Sequence, residues 1–147
     1  MEAKCREVAE PLLAVVKRHN AESRVLLAAK VESDRNKIDS YNGPWGASRR
    51  DITCFWTARH LGLLRYYRPT FDALQVPEIW NGIRVVTPTF VKDAHELNIP
   101  VHVWVVDTEK DVRRLISWGV DGLQSDRLDV LSKVLEDVRN WRPLHVV

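Results

Sequence analysis

Residues 83–131 hold the feature that most constrains the fold, an alternation of short apolar runs with helix-like stretches. The runs at 83–87, 101–106 and 121–125 have the length and composition of strands. Each is followed by apolar residues at helical spacing. Strand and helix alternating at these intervals are typical of βαβ units, which build a parallel sheet through right-handed crossovers. The stretch therefore predicts an α/β fold.

The helices of this stretch have recognisable ends. Asn98 ends the first helix, either Asp107 or Thr108 caps the second, and Gly119 closes it. Asp126 is predicted to cap the last helix. The apolar positions of that helix are Leu128, Leu131, Val134, Leu135 and Val138.

The first 40 residues predict one helix and one strand. Residues 2–19 have the pattern of an amphipathic helix that kinks or begins near Pro11. Residues 24–29 form an apolar strand of the parallel type. The chain is thus predicted to open on a helix, and the polar stretch 31–40 holds at most a short helix.

Between these regions the signals are mostly those of turns. Residues 41–46 carry Asn-Gly and Gly-Pro steps and are predicted to be a loop. Ser48 followed by Asp51 indicates a helix start. Residues 74–78 are predicted to be extended and loop-rich, leading to a turn at 81–82.

Composition and charge are those of an ordinary soluble domain. The 147 residues are 45% hydrophobic and 29% charged, with a net charge of +2, which argues against a dedicated nucleic-acid binder. Cys5 and Cys54 lack metal or redox spacing and fit free thiols of a reducing compartment. Charged residues near the N-terminus exclude an apolar signal-peptide segment there, and no run is long enough for a membrane span. The expected location is cytoplasmic.

Several segments, taken in order, resemble the C-terminal part of a glycerophosphodiester phosphodiesterase. They are residues 82–88, 94–95, 103–107 and 119–127, the last two reading Val-Trp-Val-Val-Asp and Gly-Val-Asp-Gly-Leu-Gln-Ser-Asp-Arg. The family's late strands end in Trp-Thr-Val-Asn and Gly-Val-Asp-Gly-Ile-x-Thr-Asp-x-Pro segments. The resemblance implies a (β/α)8 TIM barrel of the phospholipase C-like type. Because a complete barrel needs about 250 residues, residues 1–147 are predicted to form a single partial barrel domain, its C-terminal half.

The resemblance also implies which chemistry to look for. The family uses a divalent metal, Mg²⁺ or Ca²⁺, and a pair of histidines. These groups come from a His-Arg motif on the first strand, Glu-x-Asp on the second, His-Asp shortly after, and Glu-x-Lys on the third. With residues 24–29 taken as about the fourth strand, none of these motifs is expected in the chain, and the catalytic half of the barrel is predicted to be absent. No catalytic or metal-binding residue is therefore predicted, the histidines are read as structural, and the chain alone is expected to be inactive.

One substrate-binding residue carries over from the family. Trp104 matches the tryptophan that lines the substrate pocket, and a core aromatic is the alternative reading. Val105 and Asp107 replace the family's Thr and Asn. Asp107 and Asp126 could be paired carboxylates at neighbouring strand ends, but each immediately precedes a helix, which favours the N-cap role for both.

Two functions of different classes remain open from the sequence. The first is a fragment of an enzyme of lipid metabolism that hydrolyses glycerophosphodiesters to an alcohol and glycerol 3-phosphate. The second is a non-catalytic half-barrel that serves as an interaction or regulatory module. Open edges are expected at the strands 24–29 and 121–125, so association with the missing N-terminal half or with a second copy is predicted.

Overall fold

The computed structural model describes residues 2–3, 8–29 and 41–140. The chain divides into two compact units. The first unit contains Met1–Gln75 and His95–Pro100, and the second contains Val76–Ala94 and Val101–Val147. The stretch 31–40, for which a short helix was considered, lies outside the described residues.

The first unit opens on a strand, which corrects the prediction of a helix over residues 2–19. β1, Glu2–Ala3, pairs in parallel with β2, Ala28–Ala29. A two-residue strand has no periodicity that a sequence pattern could reveal. The helix α1 spans only Ala9–Arg18. Pro11 lies in its first turn, where the missing N–H has no helical partner to lose.

Parallel pairing continues through residues 41–46, which were predicted to be a loop. Leu27 forms a parallel bridge with Trp45, and Gly46 forms one with Ala73. The N–H of Gly46 donates to the carbonyl of Leu27 at 2.7 Å, and that of Ala47 donates to Ala73 at 2.9 Å. The stretch 24–29 therefore has neighbours on both sides, so the prediction that it forms an open edge is wrong.

A small apolar core holds these strands against α1. It consists of Leu13, Val16, Leu27, Tyr41 and Trp45. The rings of Tyr41 and Trp45 meet edge to face with centroids 5.4 Å apart, an arrangement that aromatic pairs favour. Leu13 and Val16 are one helical turn apart, so the buried stripe of α1 follows directly from its spacing.

The helix α2, Arg49–His60, begins where the sequence predicts. The Ser48 hydroxyl accepts from the N–H of Asp51 at 3.3 Å, and the Asp51 carboxylate accepts from the N–H of Ser48 at 2.9 Å. This reciprocal pair is a capping box. The helix is anchored by Phe55, whose side chain is fully buried against the ring of Tyr67.

The second unit contains a three-stranded sheet in the order β3-β6-β7. β3 is Leu74–Pro77, which begins in the first unit and ends in the second. β6 is Val101–Trp104 and β7 is Gly122–Leu123, and these two pair in parallel. The stretch 74–78 was predicted to be extended and loop-rich, and it is extended but forms a regular strand. Pro77 stands at the end of that strand, where a missing N–H is tolerated.

The run 83–87 is not a parallel strand, contrary to the prediction. β4, Ile79–Trp80, and β5, Ile83–Arg84, form an antiparallel hairpin. Its turn is Asn81-Gly82, with φ values of 48° and 78°. Positive φ at both central residues is the geometry of a type I′ hairpin turn, which Asn-Gly favours. The β-branched composition of this run correctly predicted an extended backbone. It could not show that the partner strand would be antiparallel.

Three helices complete the description: α3, Pro88–Glu96, α4, Glu109–Ser117, and α5, Leu128–Asn140. The predicted terminators are confirmed, since Asn98 and Gly119 have φ values of 58° and 83° just beyond α3 and α4. Within the described part of the chain, every helix is too short or too polar to cross a membrane.

One close contact fixes the register of β6 on β7. His102 lies opposite Gly122 in the parallel ladder. A Cβ atom added at Gly122 would lie 2.7 Å from Cδ2 of His102. Only glycine therefore leaves room for the imidazole ring at this point of the sheet.

Candidate functional site

The candidate site lies where β6 and β7 end. Ligand sites of parallel α/β sheets form at the carboxyl ends of the strands. Trp104 is the last residue of β6, and Asp107 follows it before α4. Ser125 and Asp126 occupy the equivalent connection between β7 and α5.

Trp104 keeps part of its surface open. Along β6, Val101 and Val103 are fully buried, whereas His102 and Trp104 are half-buried. Burial therefore alternates along these four residues. The alternation stops where the strand ends at Trp104: Val105 is 54% exposed and Val106 is 3% exposed.

Asp107 connects the segments that follow β6 and β7. It does not cap α4, although the sequence made it one of two candidates for that cap. Its Oδ1 accepts from the Ser125 hydroxyl at 2.9 Å and from the N–H of Asp126 at 2.8 Å. Thr108 is the cap instead, since its hydroxyl accepts from the N–H of Asp111 at 3.1 Å. The predicted N-cap role of Asp107 is therefore wrong.

Asp126 does not cap α5 either. The helix begins at Leu128, so Arg127 is the residue that precedes it. The Arg127 guanidinium donates from Nε and Nη2 to the two carboxylate oxygens of Asp129, at 2.9 and 2.7 Å. These hydrogen bonds lower the pKa of Asp129 to about 2. Asp107 contacts the backbone N–H of Asp126 and not its carboxylate. The interpretation of Asp107 and Asp126 as paired carboxylates is therefore not supported.

A second carboxylate network follows β3 and was not predicted from the sequence. Glu78 accepts from Nη1 and Nη2 of Arg114, each at 2.8 Å, and Arg84 also contacts its Oε1. Arg114 further pairs with Asp111 and lies over the ring of Trp118. The hydrogen bonds that Arg114 donates, first to Glu78 and then to Asp111, raise the pKa of Arg114. Because Glu78 and Arg114 are far apart in sequence, no local pattern connects them.

The side chains present do not fit a complete divalent-metal site. Hard cations such as Mg²⁺ and Ca²⁺ need several converging oxygen ligands. Across residues 2–3, 8–29 and 41–140, no group of three or more His, Cys, Asp or Glu side chains is placed to share an ion. Glu78 is occupied by arginines and Asp107 by neutral donors. No metal-dependent step is therefore derived from these residues.

The fold corresponds to part of the (β/α)8 barrel of phosphodiesterases. A structure from Silicibacter pomeroyi DSS-3 that carries the glycerophosphoryl diester phosphodiesterase name superposes with a TM-score of 0.66 at 20% identity, over 90% of this chain and 44% of that one. A glycerophosphodiester phosphodiesterase from Parabacteroides distasonis ATCC 8503 gives 0.59 at 17% identity, over 93% of this chain and 56% of that one. The predicted α/β partial TIM barrel is confirmed.

The chain belongs to the Glycerophosphoryl diester phosphodiesterase family, whose sequence model matches residues 48–130. It is 30% identical over 147 residues to the "Probable glycerophosphodiester phosphodiesterase 2" of Mycobacterium tuberculosis (strain ATCC 25618 / H37Rv). That match covers 96% of this chain and 56% of the relative. The chain thus spans little more than half the length of this curated relative.

Two short stretches have the letters of a family motif. Residues 2–4 read Glu-Ala-Lys, with Glu2 opposite Ala28 in the parallel ladder, and residues 109–111 read Glu-Lys-Asp at the start of α4. A three-residue pattern of this kind does not identify a family motif by itself.

Proposed function

We propose that residues 1–147 form one partial-barrel domain, the C-terminal half of a glycerophosphodiester phosphodiesterase barrel. Its substrate would be a glycerophosphodiester, hydrolysed with water to an alcohol and glycerol 3-phosphate in the cytoplasm, as a step of lipid metabolism. The metal ligands and the proton-transfer histidines would come from polypeptide outside these residues. The observation that carries the proposal is the position of Trp104 at the carboxyl end of β6.

The partial exposure of Trp104 supports a pocket role over a core role. A core aromatic on this strand would be as buried as Val103, which is fully enclosed. A tryptophan with one open face at a strand end offers apolar contact to the glycerol or alcohol part of a substrate. Asp107, three residues after Trp104, holds the 125–126 connection in place.

Divalent cations such as Mg²⁺ and Ca²⁺ require several oxygen ligands. The proposal therefore places the metal site in polypeptide outside these residues. The chain by itself is expected to have no metal-dependent activity.

The alternative is a non-catalytic interaction or regulatory module. The engagement of Glu78 and Asp107 in structural contacts favours it, since neither carboxylate is available for catalysis. The alternative predicts that Trp104 has no effect on any hydrolysis reaction.

The test is to assay glycerol 3-phosphate release from glycerophosphocholine with Mg²⁺ or Ca²⁺. We expect none from the purified chain. Co-expression with the part of the mycobacterial relative that this chain does not cover is expected to give activity. In that complex, Trp104→Ala should lower kcat/KM by about tenfold or more, equal to about 1.4 kcal/mol, whereas Val105→Ala at the exposed neighbouring position should not.

Two results would contradict the proposal. Release of glycerol 3-phosphate by the chain alone would show that its own residues suffice for catalysis. If Trp104→Ala left the hydrolysis rate of the complex unchanged, Trp104 would have no role in the substrate pocket. The alternative of a non-catalytic module would then be favoured.

A further inference from the structure

The connection between α2 and β3 carries a group of large apolar side chains that are exposed to solvent. Leu61 is 65% exposed, Leu63 44% and Tyr66 64%. All three lie within six consecutive residues of the first unit. Single exposed apolar side chains are ordinary at a protein surface, but a cluster of them marks a site of interaction.

Local hydrogen bonds hold the backbone of this connection in one conformation. The N–H of Leu63 donates to the carbonyl of Ala58 at 2.8 Å, across Gly62, whose φ of 67° is left-handed. The N–H of Tyr66 donates to Leu63 at 3.0 Å and closes a short 3₁₀ turn, Leu64–Tyr66. Because the turn is already ordered, covering its side chains costs little conformational entropy.

Tyr67 fastens the turn to α2. Its ring meets that of Phe55 edge to face with centroids 5.8 Å apart, and its hydroxyl donates to the carbonyl of Asp51 at 3.3 Å. Burial, and then the nearby Asp51 carboxylate, raise the pKa of Tyr67 to about 12. The hydroxyl therefore stays protonated at neutral pH and keeps its hydrogen bond. Tyr67 has a structural role, whereas its neighbour Tyr66 is left at the surface.

Two exposed arginines flank the apolar side chains. The guanidinium of Arg65 lies over the ring of Tyr66, 4.5 Å from its centroid. Arg68 donates from Nη1 to the carbonyls of Arg65 and Tyr67, at 3.3 and 3.0 Å. Within the part of the chain that the structure describes, neither guanidinium forms an ion pair with a carboxylate. The 61–68 surface, as it is called below, consists of Leu61, Leu63, Arg65, Tyr66 and Arg68.

The charge around the 61–68 surface has one sign. Residues 52–71 contain three arginines and no aspartate or glutamate. Elsewhere in the chain, Arg113 and Arg127 are each paired with carboxylates. The two arginines of the 61–68 surface thus place positive charge that no ion pair offsets beside exposed apolar side chains.

This combination fits a membrane surface that contains anionic lipid. Apolar and aromatic side chains insert at the boundary between headgroups and acyl chains, where tyrosine is enriched. Arginine stays charged and binds phosphate groups, and cations are attracted to anionic lipid. A nucleic acid fits less well, because leucine offers no π face for stacking on bases and two cations neutralise few phosphates.

We propose that the 61–68 surface binds anionic lipid. Leu61, Leu63 and Tyr66 would enter the headgroup boundary, while Arg65 and Arg68 contact lipid phosphates. The surface belongs to a helix-to-strand connection, whereas ligand sites of parallel α/β folds form at strand-to-helix connections. The inference is therefore independent of the proposed hydrolysis, and it adds an interaction that would hold the chain at a lipid surface.

The test is co-sedimentation of the purified 147-residue chain with vesicles of phosphatidylcholine, alone or mixed in equal parts with phosphatidylserine. We expect binding to the mixed vesicles, weaker at high salt, and little binding to phosphatidylcholine alone. Arg65→Ala with Arg68→Ala should lower the partition coefficient by about 30-fold. The matched control is Arg113→Ala with Arg127→Ala, which removes the same formal charge from paired arginines and should have a much smaller effect.

Leu61→Ser with Tyr66→Ser tests the apolar part of the surface. This variant should lower the partition coefficient by about tenfold or more at every salt concentration, because apolar burial is not screened. The matched control is Leu128→Ser with Leu135→Ser on α5, where the side chains are 68% and 48% exposed and binding should be unchanged. Thermal melts check the fold of each variant, and Leu61→Ala alone is a milder change with a smaller loss.

Equal binding to the two kinds of vesicle would overturn the inference, as would binding that neither surface variant changes. A loss in the arginine variant without a loss in the apolar variant would assign the surface to a soluble polyanion instead. A dimer in light scattering that Leu61→Ser with Tyr66→Ser abolishes would assign it to a second copy of the chain. Vesicle binding by a chain whose co-expressed complex hydrolyses nothing would support this inference and contradict the proposed activity.

Discussion

Glu78 and Asp107 occupy similar places in the second unit and are held in different ways. Each follows a strand of the parallel sheet, Glu78 directly after β3 and Asp107 three residues after β6. Glu78 is 17% exposed in its side chain and receives charged donors from Arg84 and Arg114. Asp107 receives a hydroxyl and a backbone N–H from the 125–126 connection.

The comparison teaches that a carboxylate at the carboxyl end of a strand is not evidence of catalysis by itself. Glu78 connects a hairpin to a helix through ion pairs, which are strengthened by partial burial. Asp107 connects two loops through neutral donors, which contribute less. Removal of Glu78 should therefore cost more stability than removal of Asp107, and only the Glu78 network should include a group with a strongly raised pKa.

The largest expected effect comes from Glu78→Ala. This change removes the carboxylate that binds the partly buried Arg114 in a bidentate manner. It should lower the free energy of unfolding by about 2–3 kcal/mol. Urea denaturation measures the difference. The control is Glu136→Ala on the exposed surface of α5, for which we expect a change within about 0.5 kcal/mol. Equal effects of the two substitutions would end the distinction between Glu78 and an ordinary surface carboxylate.

A smaller loss is expected at Asp107. Asp107→Ala removes the acceptor for Ser125 and for the N–H of Asp126 and should cost about 1 kcal/mol. Asp107→Asn retains a carbonyl oxygen and should cost less. Thermal melts with and without Mg²⁺ provide the check, and an increase in Tm caused by Mg²⁺ and lost in Asp107→Asn would show that the residue binds metal after all.

Acid should act on the Glu78 network through Asp111. A hydrogen bond from Thr108, then one from Arg114, lowers the pKa of Asp111. A carboxylate with a lowered folded pKa stabilises the protein above its unfolded pKa of about 3.9, and this contribution is lost as the pH falls through the folded value. We expect Tm to fall below about pH 4 and Asp111→Asn to make that fall shallower. An unchanged pH profile in the variant would assign the acid sensitivity to other groups.

The smallest effect is expected at Arg113, the neighbour of Arg114 in sequence. Arg113 pairs with Glu109 at 2.7 Å and with Asp137, all with side chains more than 40% exposed. Exposed pairs contribute about 0.2–1 kcal/mol and are screened by salt. Arg113→Ala should therefore lower the free energy of unfolding only slightly, and less still in about 0.5 M NaCl, where screening is stronger. Arg114→Ala should cost more. A reversed order would contradict the assigned burial of the two networks.

Helix ends could be predicted from the sequence because their chemistry is local. Ser48 finds its partner three residues ahead, and so does Thr108. Asn98 and Gly119 take up left-handed backbone conformations immediately after their helices. Each of these features depends on residues within one helical turn, which a single sequence displays in full.

Strands were harder to predict from the sequence, because strand pairing depends on partners that lie far along the chain. Glu2–Ala3 and the bridging pair at 45–46 are too short for an alternation to be visible. The β-branched run at 83–87 looked more like a core strand than Leu74–Pro77 does, yet it forms the antiparallel hairpin. Local composition indicates extended backbone, and tertiary pairing decides which segment enters the parallel sheet.

The candidate site was predicted in part for the same reason. Trp104 could be placed at a strand end from its own segment and the resemblance. The role of Asp107 could not, because its donors lie 18 and 19 residues further on. The Arg114–Glu78 contact spans 36 residues and is invisible to any local rule.

The contact between His102 and Gly122 limits how this sequence can diverge. A methyl group at position 122 would lie 2.7 Å from Cδ2 of His102, so alanine there requires the imidazole to move. A smaller residue at 102 would remove that requirement. The two positions are therefore epistatic: alanine at 122 should cost less stability after a change at 102 than before it.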